Sequence, residues 1–126
     1  MKNTGGAPRD YTKEELETMR LFGRVVRKTR KLLHISQDTL AVESQLSQNY
    51  ISKLESFSVA SRNFETAVAF IIEGFRRIWQ WDCLKGSVKL PFWIKAVQKK
   101  GVFKSRFYFE KFLEENSDFG TDFGDF

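Results

Sequence analysis

Residues 36–55, SQDTLAVESQLSQNYISKLE, constrain this chain more than any other stretch. Ser36 and Ser47 each precede a run with helical periodicity, and a serine hydroxyl in that position accepts one of the backbone N–H groups that open a helix. The spacing predicts a short helix over 37–43, a turn over 44–46 and a second helix over 48–55. Leu40, Ala41, Leu46, Ile51 and Leu54 then share an inner wedge. Gln48, Asn49, Ser52 and Lys53 are left on the outer side of the second helix. Amide side chains can make two hydrogen bonds to an adenine edge, which suits a helix lying in a major groove.

Several residues of this stretch and its surroundings form a pattern. Gln37 stands at the second position, followed by Leu40-Ala41, the turn, Ser47, and Ile51-Ser52-Lys53-Leu54-Glu55. Upstream lie Gly23 and then Val26-Arg27-Lys28-Thr29-Arg30. Over residues 21–75 this resembles the Xre/λ-repressor-like family of bacterial and phage DNA-binding domains. The resemblance implies an all-α helix-turn-helix bundle and a sequence-specific regulator of transcription, most simply a repressor that binds double-stranded DNA as a homodimer. Base contacts are expected from Gln48, Asn49, Ser52 and Lys53. Backbone contacts are expected from Gln37, Arg27, Tyr50, Ser61, Arg62 and Asn63, with Gln37 also bracing the second helix and Tyr50 open to the alternative of packing against the preceding helix. Arg30 matches the family arginine that pairs with the glutamate ending that helix, here Glu55, so a partly buried structural ion pair is expected. The chain departs from the family where glycine is usual: Gln45 occupies the tight turn, His34 precedes the first motif helix, and Ser56-Phe57 follow the final glutamate. A non-glycine residue at a left-handed position carries a conformational cost.

Outside the motif the chain reads as follows. Residues 1–11 form a flexible arm with Gly5-Gly6 and Pro8. Thr12 and Glu15 make a capping-box pattern that opens a helix over 13–33. Its acidic start and basic end suit the helix dipole, and Arg24, Arg27, Lys28 and Lys31 are expected mostly on its solvent side. His34, the single histidine, reads as a residue at a helix C-terminus rather than a metal ligand. Ser61 or Asn63 is expected to cap an apolar helix over 64–75, whose second side must meet something beyond the motif. Arg76 to Trp81 continue its pattern. Pro91 opens a further helix that stops at Gly101, and Ser105 is expected to cap a last one ending at 114. A short strand pair from Val88/Leu90 and Val102/Phe103 is the minority alternative.

The domain organisation that follows is an arm (1–11), a DNA-binding domain (12–75), an aromatic-rich helical extension (76–115) and an acidic tail (116–126). The chain holds thirteen Phe and three Trp, of which five Phe and all three Trp lie in the extension, expected as core and dimer or partner surface. Lys95, Lys99, Lys100, Lys104 and Arg106 form a second basic cluster. The overall charge of +5 conceals a division: residues 114–126 hold five acidic and no basic residues, so the preceding body carries 21 basic against 11 acidic. A basic body suits phosphate neutralisation and counterion release. The tail SDFGTDFGDF shares its Asp-Phe-Gly triplet with kinases, but no glycine-rich phosphate loop or His-Arg-Asp loop accompanies it.

One Cys and one His, with no nucleotide or metal signature, argue against an enzyme, and no cofactor or metal is expected. No apolar run reaches the roughly 18 residues of a membrane span, and no apolar leader opens the sequence. A cytoplasmic protein is expected. The alternative function is a DNA-binding antitoxin or interaction module whose C-terminal half, or acidic tail, engages a partner protein.

Overall fold

A computed structural model describes residues 11–56, 63–81 and 89–116. Among them are six α-helices: α1 (Lys13–Leu32), α2 (Gln37–Ser44), α3 (Gln48–Ser56), α4 (Phe64–Trp79), α5 (Phe92–Lys100) and α6 (Arg106–Glu115). A 3-10 turn at Phe103–Ser105 leads into the last. The chain is all-α, as expected. No strand occurs among the described residues, and Val88 lies outside them. Val102 instead turns into the core and Phe103 joins the 3-10 turn. No helix among the described residues is long and apolar enough to cross a membrane.

Local chemistry sets most helix limits. The Thr12 hydroxyl accepts from the Glu15 N–H and the Thr12 N–H donates to the Glu15 carboxylate, both at 3.0 Å, so the capping box is complete. Ser36 Oγ accepts from the Thr39 N–H, and Ser47 Oγ from the Tyr50 N–H. The chain leaves α1 through His34 (φ 59°) and α2 through Gln45 (φ 60°), both left-handed. Beyond each, a backbone N–H reaches back to close the helix end: Ile35 to Arg30 O at 3.2 Å, Leu46 to Ala41 O at 3.0 Å. Two expected capping residues, Asn63 and Ser105, do not cap, and the alternative Ser61 lies outside the described residues. Asn63 precedes α4 without a side-chain capping bond. Ser105 is buried and donates to Gly101 O at 2.7 Å, closing the turn behind it rather than capping α6.

The helices meet at unusually short range in two places. A Cβ on Gly23 of α1 would run into the Leu54 carbonyl oxygen of α3. A Cβ on Gly74 of α4 would run into Ser44 Oγ and lie 3.0 Å from the Ser44 Cα of α2. Hydrogen at both positions lets backbones approach where a methyl would hold them apart. Arg77 reinforces the second approach by donating to the Glu43 carbonyl at 2.9 Å, one of the open acceptors at the end of α2.

The core runs unbroken from the first helix to the last. Leu40, Ala41, Ile51 and Leu54 are buried as the wedge expects, with Leu46 half-buried at its margin. Phe22 sits between Phe64, Trp93 and Phe109, with ring centroids 5.6, 5.7 and 5.7 Å away. Trp93 is fully buried, and its indole N–H donates to the Thr29 hydroxyl at 3.1 Å, satisfying the polar atom of a core aromatic. Phe109 and Phe112 of α6 complete the cluster.

This core redraws three expectations. The boundary expected at residue 75 falls inside α4, and residues 12–75 share one hydrophobic cluster with residues 76–115. Tyr11, assigned to the arm, is half-buried with its ring 6.0 Å from Phe103. Lys28, expected in solvent, is fully buried, because α1 is covered by α3 on one side and by α6 on another. Residues 1–10, 57–62, 82–88 and 117–126 lie outside the described residues, and with them most of the arm and acidic tail.

Two substitutions check this account of the helix packing. Gly23→Ala must part α1 from α3 and should destabilise the fold by about 1–3 kcal/mol, the usual range for overpacking. Gln45→Gly should act the other way, raising stability by up to about 1 kcal/mol, because glycine holds a left-handed position without the Cβ penalty. Urea unfolding of both variants beside the parent protein reads both signs.

Candidate nucleic-acid interface

The outer side of α3 is positioned by a buried carboxylate. Glu55 ends the helix with its side chain 1% exposed, and Arg30 of α1 faces it at 12% exposure. Arg30 Nε donates to Glu55 Oε2 at 2.8 Å, and a second guanidinium N–H donates to Oε1 at 3.0 Å. This is the two-pronged geometry that makes arginine–carboxylate pairs strong and directional. A third arginine N–H donates to the Ile35 carbonyl at 3.0 Å, tying the same guanidinium to the segment entering α2.

Gln37 extends the network outward. Its Nε2 donates to Glu55 Oε1 at 3.0 Å, and its Oε1 accepts from Gln48 Nε2 at 2.8 Å. The chain Arg30–Glu55–Gln37–Gln48 therefore crosses from α1 through α3 and α2 to the first residue of α3. Gln48 retains its Oε1 and one N–H, and Gln37 retains one N–H. These are the groups such an amide pair can present to a base edge or a phosphate.

The sequence-predicted residues fall into distinct sets. Gln48, Asn49 and Lys53 are exposed and Ser52 is half-buried. They share a side of α3 by helical spacing, opposite Ile51 and Leu54. Lys53 is the cation of this surface, since the nearby Arg30 charge is matched by Glu55. Tyr50 belongs elsewhere. Its ring packs on the core and its hydroxyl oxygen is buried, so it anchors α3 instead of offering a surface donor. Arg27 is half-buried on α1 with its Nε buried. Asn63 is exposed at the start of α4, beside a depression lined by Gln45, Ser47, Tyr50, Thr66 and Phe70. Ser61 and Arg62 lie outside the described residues.

The second basic cluster is on other elements. Lys95, Lys99, Lys100 and Lys104 are exposed on α5 and the turn after it, whereas Arg106 is half-buried beside Glu110 at 3.4 Å. Among the described residues, no group of three His, Cys, Asp or Glu residues is arranged to hold a metal ion. The bond from Gln48 to Gln37 is the feature that residue-by-residue reading missed. Its signal is two glutamines at the first positions of consecutive helices, which a short turn brings side by side.

No protein-family model matches this chain, and no curated protein or solved structure matches it.

A double-substitution cycle tests the buried pair. Glu55→Leu alone strands the Arg30 charge and Arg30→Met alone strands the Glu55 carboxylate, so each should cost about 3–5 kcal/mol. The combined variant should cost clearly less than the sum of the two, because neither charge is left behind. Unfolding free energies from urea titration give the coupling directly.

Proposed function

We propose that this chain is a DNA-binding regulator of the Xre/λ-repressor-like kind, with α2 and α3 as its helix-turn-helix and α3 as the reading helix. Gln48, Asn49, Ser52 and Lys53 are the residues set against base edges. Gln37 faces the sugar-phosphate backbone and steadies Gln48. The observation that carries this reading is the Gln48–Gln37–Glu55–Arg30 chain. It fixes a polar side chain on an exposed helix face through three successive partners. A surface with no ligand gains little from such fixation, whereas base recognition needs amide groups held in one orientation before the ligand arrives.

The charge balance supports the same reading. Arg30 cancels Glu55, which would otherwise set a negative charge beside an incoming phosphate. Lys53 is then free to attract one. One reading helix covers only a few base pairs, so we propose a two-fold dimer that doubles the site and represses by occupying it.

The competing reading, a partner-binding module built on the aromatic C-terminal half, loses much of its surface to the core. Trp93, Phe109 and Phe112 are buried inside the chain, and among the described residues of that half Phe107 of α6, 66% exposed, is the exposed large apolar side chain.

Selection of bound duplexes from a randomised pool, followed by titration against a scrambled duplex, tests this function. The parent protein should enrich a defined, two-fold related site. Asn49→Ala should reduce discrimination between selected and scrambled duplex by about tenfold, the order of one bidentate base contact. Its affinity for scrambled duplex should change less than about twofold, since phosphate contacts carry that term. Equal losses on both duplexes would remove Asn49 from base reading, and failure to enrich any site would remove the function.

A further inference from the structure

A long run of positive charge lies away from α3 in the sequence. Residues 83–109 contain seven basic residues and no acidic one. Lys89, Lys95, Lys99, Lys100 and Lys104 are all exposed. Lys100 bonds the Tyr108 hydroxyl at 3.3 Å and lies over that ring. Lys89, Lys95, Lys99 and Lys104 have no hydrogen bond or ion pair to any described residue. Lys95 and Lys99 stand one turn apart, about 5–6 Å between Cβ atoms. Trp93, Ile94, Ala96 and Val97 of the same helix are buried, so these lysines point away from the core.

Their position relative to α3 follows from α4. Phe70, Gly74 and Arg77 meet α2 and the turn that follows it. Val68, Ala69 and Ile72 line a groove shared with Val97 and Val102, against α5. At about 3.6 residues per turn these two sets occupy roughly opposite sides of α4. Helix α1 meets α3 and Trp93 on two adjacent sides about 100° apart, with Gly23 and Arg30 toward α3 and Phe22 and Thr29 toward Trp93. The helix-turn-helix and the lysine-bearing α5 therefore meet different sides of α4. Glu65 and Glu73 line the α4–α5 groove opposite Val97 and Gln98, with no lysine in its lining, and Glu110 is engaged by Arg106.

Lysines with flexible stems and no bond to a described residue suit a regular array of phosphates, without discrimination among bases, and the arginine of this segment, Arg106, is held by Glu110. We propose that α5 and the turn after it form a second, sequence-independent phosphate-binding surface for duplex nucleic acid. Through it one molecule holds a second duplex segment while α3 holds the first. This extends the DNA-binding reading above and rests on it for the first duplex only. An isolated solvated helix face would leave the protein single-sited, and the two cases separate by experiment.

Full-length protein is loaded on an immobilised duplex bearing the selected site, and a fluorescent duplex of unrelated sequence is added in solution. The parent protein should retain the fluorescent duplex, and moderate salt should release it before the protein leaves the immobilised site. The combined variant Lys95→Gln/Lys99→Gln/Lys104→Gln should load within about twofold of the parent. It should capture the second duplex at least about tenfold less well, as expected when several phosphate contacts are lost. Circular dichroism checks that the variant keeps its helices. Capture undiminished in the variant would overturn the proposal, because a second α3 in a dimer would then be making the bridge. Loading without any second capture by the parent protein would overturn it too. Capture of two duplexes with no preference for the selected site would instead sink sequence reading by α3 and leave the lysine surface standing. No loading on any duplex would overturn both.

Discussion

The buried carboxylate of Glu55 is the point on which the first half of the molecule turns. It is closed off from water, so its charge needs a partner of opposite sign and enough donors to replace lost hydration. Arg30 supplies the charge and two hydrogen bonds, and Gln37 supplies another. These donors come from α1 and α2, while the acceptor ends α3, so satisfying one carboxylate sets three helices in register. A hydrophobic residue of similar volume would fill the same space without specifying it. The outward amide of Gln48 is the last link of that network. Order at the exposed surface is therefore inherited from a buried electrostatic requirement.

Helix α1 carries the rest of the architecture because it is used on two sides. One side, with Gly23 and Arg30, takes α3 at backbone contact distance. The other, with Phe22 and Thr29, takes the aromatic cluster of α5 and α6. The C-terminal helices are thus part of the core that supports α3, and a defect in Trp93 or Phe109 should loosen the α3 surface as well as its own neighbourhood. The same arrangement explains the burial of Lys28. A helix covered from two directions has little solvent side left, even where its sequence is rich in cations.

Much of this was legible in the sequence where the determinant is local. The caps at Thr12, Ser36 and Ser47 form within four residues, and the helix limits came within about a residue of those observed except at the end of α4, which runs to Trp79. The wedge of Leu40, Ala41, Ile51 and Leu54 was visible as periodicity. The left-handed residues were visible only through the departure of Gln45 and His34 from the glycines of the resembling family. Features that depend on distant chain were not legible. Ser105 looks like a cap in sequence, but the turn at Gly101 brings a carbonyl within its reach. Tyr50 reads in sequence either as a DNA contact or as packing against a neighbouring helix, and only the assembled core decides for packing. The number of aromatics was plain, yet their partners were not, since a Phe count does not distinguish a core from an interface. The four-residue network was partly visible: Arg30, Glu55 and a bracing role for Gln37 came from the resemblance, whereas the Gln48 link required two helices to be set side by side.

The central claim is that the surface held by this network reads duplex DNA. The most direct measurement is fluorescence-anisotropy titration of the full-length protein with DNA from upstream of its own gene and with a scrambled duplex, over a series of salt concentrations. The account predicts salt-dependent binding to both, with a preference for the upstream site that persists as salt weakens each. Equal, weak binding that vanishes together for both duplexes would contradict it. The basic body would then be attracting phosphate by charge alone, and the ordered face of α3 would have some other ligand.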